Sequence, residues 1–361
     1  MLITVPCLDL PGGVANYYRT LRPHLDSLKT YFEIGARPGQ SGRLATFRRL
    51  LVDYWGFNRA LTGQAIDLVH INPTMDSRSV LRDGLLMLIA KAHGRPVLVY
   101  FRGWNPAWEA TIRERYRQLF GLVFNRADAI VVLAEEFRRT LRELGITAPI
   151  SVETTLVDDS AFAASPDSAR QLSPAAGAFD VLYLGRLDRG KGLSEAIEAF
   201  VRLRMIWPAS TLTIAGEGPE RSAVETEVRR RGLQGIAFLG HVDGSVKENA
   251  FRRSHAYLFT SMAEGMPNSV LEAMAFGLPV VTRPVGGLRD FFEDGRMGFA
   301  TESVDPSVWA ELLGRLARNP ELRATMGQYN REFARSRFRA SVVAARLMEI
   351  YAQVGRQAAA R

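Results

Sequence analysis

One cysteine, Cys7, is all the sulfhydryl chemistry in 361 residues. A single thiol closes no internal disulfide, so a stapled secreted scaffold is excluded and a reducing, cytoplasmic setting is expected. The five histidines show no metal-ligand spacing and no Asp-x-Asp occurs, so neither a structural zinc nor a metal cofactor is expected. Long apolar runs are also missing. The best candidate, Gly84 to Ala90, stops at Lys91, far short of a bilayer span. The N-terminus enters directly as a strand, without a basic segment and a long apolar one behind it, so no secretory signal is read. Charge of one sign is scarce as well. The net +8 splits into 20 Lys+Arg against 16 Asp+Glu over residues 1–165 and 26 against 22 beyond. Basic residues mixed with acids argue against nucleic acid and favour an anionic small ligand or an anionic membrane surface.

What is present is a globular composition, 47% hydrophobic and 23% charged, on a chain long enough for two cores. Strand-like and helix-like segments alternate throughout, which predicts parallel sheets covered on both faces. The expected first domain is 1–162, with strands at Ile3, at 66–71, 95–101, 129–133 and 150–155. Its opening turn carries Gly12 and Gly13, whose missing Cβ atoms allow a ligand close to the backbone. Residues 43–61 read as a helix with Leu44, Phe47, Leu50, Leu51, Tyr54 and Trp55 on one face and Arg43, Arg48, Arg49 and Arg59 beside them. Such a helix can lie on a membrane, or pack on a sheet with its arginines in solvent. The strand at 95–101 opens into a polar loop with Arg102 and Asn105, at the end where open α/β sheets bind ligands. Residues 163–178, within a stretch rich in Ala, Ser and Pro, are expected to be the linker. The pattern restarts over 179–335, where Pro279 to Thr282 is expected to close the sheet, and a last helix, about 336–361, completes the chain.

The second half is organised around Glu264-Gly-Met-Pro-Asn-Ser-Val-Leu-Glu272. Pro267 suits the first helical position. The amides of Asn268, Ser269 and Val270 would then be unpaired donors at a helix start, a site for a pyrophosphate. Glu264 and Glu272 flank them, each able to accept hydrogen bonds from sugar or ribose hydroxyls. The plain alternative is a strand, a turn and a helix with two solvated glutamates.

Two loops resemble phosphate motifs without completing them. Gly185 to Lys191 spells most of a P-loop, but position 192 is Gly where Ser or Thr must hold magnesium. Gly216-Glu-Gly-Pro-Glu-Arg221 begins a dinucleotide fingerprint and ends it with arginine. The chemistry that survives needs no metal: Arg186 and Lys191 can neutralise a leaving diphosphate.

Taken together, Leu184-Gly-Arg-Leu with Lys191-Gly192, Ile214-Ala-Gly-Glu-Gly-Pro219, Phe238-Leu-Gly240, Glu264 through Val280 and Val285-Gly-Gly287 resemble glycosyltransferase family 4. These are retaining, nucleotide-sugar-dependent enzymes of the GT-B class, two Rossmann-like domains with parallel sheets facing a central cleft. The resemblance implies that Arg186 and Lys191 bind the donor diphosphate, Glu264 the transferred sugar and Glu272 the ribose. It implies that Gly12, Gly13, Gly216 and the amides of Asn268 to Val270 also hold the donor, a UDP- or GDP-sugar. It further implies a last helix crossing back to the first domain and front-face transfer of a hexose or N-acetylhexosamine. The acceptor would be a glycan or a polyprenyl-linked sugar in bacterial surface polysaccharide assembly. The helix from Arg43 to Arg59 would touch the inner face of the cytoplasmic membrane. Many relatives carry a histidine where this chain has Arg102, which cannot serve as a base, so Arg102 and Asn105 are expected on the acceptor side. A sugar-nucleotide epimerase, a phosphorylase or a non-catalytic scaffold of the same fold are the alternatives.

Overall fold

A computed structural model describes residues 1–10, 12–25, 29–37, 42–63, 66–163 and 177–359. These form two compact units, Met1–Leu156 with Ala340–Arg361, and Val157–Arg339.

In the first unit the strands are β1 (Leu2–Val5), β2 (Thr30–Glu33), β3 (Val69–Ile71), β4 (Thr74–Met75), β5 (Val97–Tyr100), β6 (Gly103–Trp104), β7 (Ala129–Val132) and β8 (Ile150–Val152). Six of them make a parallel sheet ordered β2-β1-β3-β5-β7-β8. Unbroken burial along β1, β5 and β7 is the pattern of strands covered on both faces. The stretch expected as a polar loop after β5 instead forms β6, parallel to β4, with Arg102 N donating to Pro73 O at 2.8 Å and Asn105 N to Met75 O at 3.2 Å, and Trp104 stacks on Phe137 at 4.3 Å and 9°. The Ala340–Ala359 helix belongs to this unit. Tyr351 holds His70 Nδ1 at 2.7 Å, and Arg346 grips both oxygens of Glu153 at 2.7 and 3.0 Å.

The second unit holds β9 (Phe179–Leu184), β10 (Ser210–Ala215), β11 (Ile236–Gly240), β12 (Ala256–Phe259), β13 (Val280–Thr282) and β14 (Gly298–Ala300), a six-stranded parallel sheet ordered β11-β10-β9-β12-β13-β14. Successive side chains alternate between two cores. Val181 and Tyr183 face the helices Leu193–Ile206 and Pro306–Arg318 with Phe200, Trp309 and Leu313. Leu182 and Tyr257 face the side of Phe251, Val270 and Met274.

Three expectations shift. The sheet does not close at Thr282, since β14 pairs beyond β13. The first unit ends at Leu156 instead of 162, because Val157, Ala161 and Phe162 enter the second core and Arg331 holds the Phe162 carbonyl at 2.8 Å. The last segment of the first unit starts at Ala340 instead of 336. The expected linker lies outside the described residues apart from its ends, 163 and 177–178.

Candidate active site

In an open parallel sheet, ligands bind at the carboxyl ends of the strands where the strand order reverses. In the second unit that point lies between β9 and β12, which pair through Ala256 with Val181 and Tyr257 with Leu182. Two loops leave the sheet there, one carrying Arg186 and Lys191, the other Glu264. Two hydrogen bonds to main-chain carbonyls knit them together: Met262 N donates to Gly190 O at 2.9 Å, and the Thr260 hydroxyl Oγ1 to Gly192 O at 2.7 Å. Gly192 has φ +71, and a Cβ there would sit 2.3 Å from Thr260 O. The residue that breaks the P-loop pattern is therefore needed for close approach of the loops.

Lys191 Nζ meets Glu264 Oε1 at 2.6 Å, and Ser261 Oγ donates to the same oxygen at 2.9 Å. Behind Glu264, Gly287 N donates to Gly265 O at 2.8 Å, while a Cβ on Gly286 would lie 2.3 Å from Glu264 O. The Val285-Gly-Gly287 turn thus holds the main chain of the glutamate loop. Burial, and then the Glu264 carboxylate, pushes the Tyr183 phenol up, so it stays a neutral donor to Lys191 O at 2.9 Å.

The helix expected behind Glu264 is Asn268–Ala275. Pro267 precedes it as N-cap with ψ 105 and is not its first helical residue. Its carbonyl takes the amides of Val270 at 3.1 Å and Leu271 at 3.4 Å. Val270 is therefore not an open donor, which corrects the sequence expectation. The amides of Asn268 and Ser269 have no main-chain acceptor among the described residues and stand at the positive end of the helix. Glu272 lies a turn on, its Oε1 at 2.7 Å from Lys247 Nζ. Sequence reasoning missed Lys247 and Ser261, since neither lies in a recognisable spacing with its partner.

Arg186 is largely exposed and pairs with Asp188 at 2.7 Å on its own loop. Gly216 does not offer an amide, because its N–H is taken by Gly240 O at 2.7 Å. Its φ of +142 and a Cβ that would fall 1.8 Å from Gly185 O show why glycine is needed. In the first unit, Gly12 and Gly13 start the Gly13–Leu21 helix with nothing within 4 Å of either Cβ position. Asn105 is exposed, and its Oδ1 caps the Pro106–Thr111 helix at Ala107 N, 3.0 Å away. Arg102 stacks on Tyr17 and Tyr100.

The helix Arg43–Gly63 packs inward through Asp53, Phe57 and Leu61, while Leu44, Phe47, Leu51 and Trp55 are 87%, 64%, 55% and 63% exposed. The side chain of Arg43 lies outside the described residues, and Arg48 and Arg59 are exposed. Among the described residues no helix is long and apolar enough to cross a membrane, and no three His, Cys, Asp or Glu side chains gather as a metal-binding group.

A family model described as "Glycosyl transferases group 1" matches residues 165–333, and one described as "Glycosyl transferase 4-like domain" matches residues 13–152. Glycogen synthase of Mycobacterium tuberculosis is 30% identical over 227 residues, 62% of this chain and 54% of that protein. The chain spans about half the length of the first curated relatives it matches. Among solved structures, sucrose-phosphate synthase from Thermosynechococcus elongatus superposes with a TM-score of 0.79 at 19% identity, covering 98% of this chain and 99% of that one. Anabaena HepE in complex with UDP-glucose gives 0.76 at 19% identity, with the same coverage of both chains. In fold and in the family models that match both of its units, the chain belongs to the group 1, family 4-type glycosyltransferases of the two-domain GT-B class.

Proposed function

We propose that this protein is a hexosyltransferase that moves a hexose or N-acetylhexosamine from a UDP- or GDP-sugar to a glycan or polyprenyl-linked acceptor. Anomeric configuration is retained and no divalent cation is needed. The reading fits assembly of a bacterial surface polysaccharide. The observation that carries it is the pair Lys191–Glu264, 2.6 Å apart at the strand-order reversal, with the free amides of Asn268 and Ser269 on the helix that follows the glutamate loop.

As the bond between sugar and diphosphate breaks, negative charge grows on the leaving oxygens, and fixed positive groups aimed there lower the barrier. Lys191 supplies a point charge. Arg186 is exposed enough to swing from Asp188 onto a phosphate and offers a planar fork. Each charge-assisted hydrogen bond contributes roughly 1.5–3 kcal/mol and the helix start about 0.3–2 kcal/mol, so the side chains dominate. Glu264, held by Ser261 and Lys191, orients the sugar hydroxyls and stabilises positive charge on the ring. Glu272, held by Lys247, accepts the ribose hydroxyls. The acceptor hydroxyl attacks from the face the diphosphate leaves, and a phosphate oxygen takes its proton. Gly12, Gly13, Arg102 and Asn105 stand at the carboxyl edge of the first sheet and serve the acceptor and the donor phosphates. The relatives and structural neighbours, a glycogen synthase, a sucrose-phosphate synthase and a protein solved with UDP-glucose, support sugar transfer from a nucleotide.

Peripheral membrane contact is part of the reading. Leu44, Phe47, Leu51 and Trp55 form an outward apolar stripe beside Arg48 and Arg59, the composition of an interfacial helix. Sedimentation with anionic vesicles tests it: Phe47→Glu should release the protein, and unchanged binding removes this part.

A thermal-shift panel of UDP- and GDP-sugars tests the donor assignment, since a ligand bound only to the native state raises its melting temperature with concentration. A nucleotide-sugar response lost in Lys191→Ala is expected. No response to any nucleotide sugar would defeat the proposal.

A further inference from the structure

Among the described residues of the first unit, Arg102 is a partly buried charge with two buried, unpartnered nitrogens. It follows β5 at the carboxyl edge of the sheet, and its amide donates to Pro73 O at 2.8 Å in the loop after β3. The guanidinium carbon lies 3.6 Å from the centroid of Tyr17 and 4.4 Å from that of Tyr100, two rings set at 87° to each other. Such a clamp fixes the side chain before any ligand arrives and favours the cation electrostatically. It does not satisfy the N–H groups. Among the described residues Nε and Nη1 are buried with no acceptor, and the Tyr17 hydroxyl and Thr154 Oγ1 are unpartnered too.

The surrounding groups do not cancel the charge. Glu153 is the nearby acid, and both of its oxygens are taken by Arg346. His70 is held neutral, pulled down to about 3 by burial and then by Arg102 itself. The Asn72 amide is spent on Thr4 O at 2.7 Å, and its oxygen on Tyr18 at 2.9 Å. Burial pushes the phenols of Tyr17, Tyr18, Tyr100 and Tyr351 upward, so they remain uncharged. A largely buried charge without an acid partner is costly to keep unless a partner arrives to use it.

We propose that Arg102, clamped by Tyr17 and Tyr100, binds an oxyanion on the acceptor, a phosphate ester or a carboxylate, and so restricts this enzyme to anionic acceptors. The word acceptor rests on the function proposed above; the anion site itself does not. Guanidinium presents parallel N–H donors that match two oxygens of either group, and it cannot act as a base. The Tyr17 hydroxyl would add a donor to the same anion.

The test titrates the full chain with glucose 6-phosphate, glucuronate and glucose at fixed ionic strength. Wild type, Arg102→Gln, Arg102→Lys and Tyr17→Phe are compared. At least one anionic sugar should bind wild type while glucose does not, and the stronger of the two tells phosphate from carboxylate. Arg102→Gln should weaken that binding about 10- to 100-fold, and Arg102→Lys should recover part of it. Tyr17→Phe keeps the clamp and should weaken it only a few-fold. Should Arg102→Gln not fold, Arg102→Lys decides: loss of the fork predicts weaker binding, and unchanged affinity overturns the proposal. Anions that bind no better than glucose, or as well to Arg102→Gln as to wild type, overturn it also. UDP- and GDP-sugars titrated in the same series report on the second unit. Donor binding without anion selectivity defeats this inference alone, and anion binding without donor binding defeats the proposed function alone.

Discussion

Lys191 Nζ and Glu264 Oε1 stand 2.6 Å apart, although 73 positions separate them in the chain. Each neutralises the other, and under the proposed function a diphosphate would compete for the lysine and free the glutamate for the sugar. Glu264→Gln keeps the size of the side chain and a group for Ser261 to bond, but removes the charge. Turnover of the nucleotide sugar should fall at least about 100-fold, the scale of losing a preorganised stabilising group. Donor affinity should change only a few-fold. Rates measured beside thermal unfolding separate this from misfolding, and near-normal turnover would contradict it.

Lys247 binds Glu272 at 2.7 Å and is partly shielded from solvent. Under the proposed function it orients the carboxylate that would accept the ribose hydroxyls. Lys247→Ala should raise the donor KM about 3- to 10-fold, as expected for one part-buried charged hydrogen bond. The kcat should stay near wild type and Lys247→Arg should restore much of the loss. A drop in kcat at unchanged KM would assign Lys247 to the chemical step instead.

Two glycines should respond in opposite ways. A Cβ at Gly216 would lie 1.8 Å from Gly185 O, on a backbone with φ +142. Gly216→Ala should therefore destabilise the protein by at least about 2 kcal/mol, combining strain and overpacking. At Gly12 the added atom meets nothing within 4 Å and φ is 165, extended backbone open to any residue. Gly12→Ala should leave stability within about 0.5 kcal/mol, the range of surface substitutions. Melting temperatures of the two variants check both statements.

His70 makes the first unit sensitive to acid. Burial and then Arg102 lower it from 6.5 to about 3, so the folded state binds fewer protons than the unfolded one. The stability due to neutral His70 is complete above pH 6.5 and is lost as pH falls from 6.5 toward 3. At pH 5 the loss is about 2 kcal/mol. His70→Gln, which cannot titrate, should flatten the fall in unfolding free energy between pH 6.5 and 5. An unchanged slope would place the acid sensitivity elsewhere.

The sheets were legible because β9, β10 and β12 read as short apolar runs ended by Gly or polar loops, the pattern of buried parallel strands. The places of Lys191 and Glu264 could be read in the same way, since both lie in loops that follow countable strand ends, while Glu272 falls in the Asn268–Ala275 helix behind Pro267. Strand β14 was missed because Gly298-Phe-Ala300 is too short to show a period. The engagement of Val270 was missed because it depends on Pro267 capping the helix from outside, a matter of one dihedral angle. Lys247 was invisible because its partner is 25 residues away and only the packing of two helices joins them. The stripe from Leu44 to Trp55 was seen, but its direction follows from Asp53, which pairs with Arg37 at 2.6 Å on the inner face. A buried carboxylate there inverts the usual amphipathic reading.

Under the proposed function a diphosphate leaving group is neutralised by Lys191, Arg186 and the Asn268–Ala275 helix start, without a divalent ion. The most direct measurement is release of nucleoside diphosphate from a binding UDP- or GDP-sugar, with excess EDTA and with magnesium or manganese, for wild type and Lys191→Ala. Equal rates in chelator and metal, and a loss of at least about 100-fold in Lys191→Ala, are the predicted result. Turnover that vanishes in EDTA and returns with the metal would contradict it.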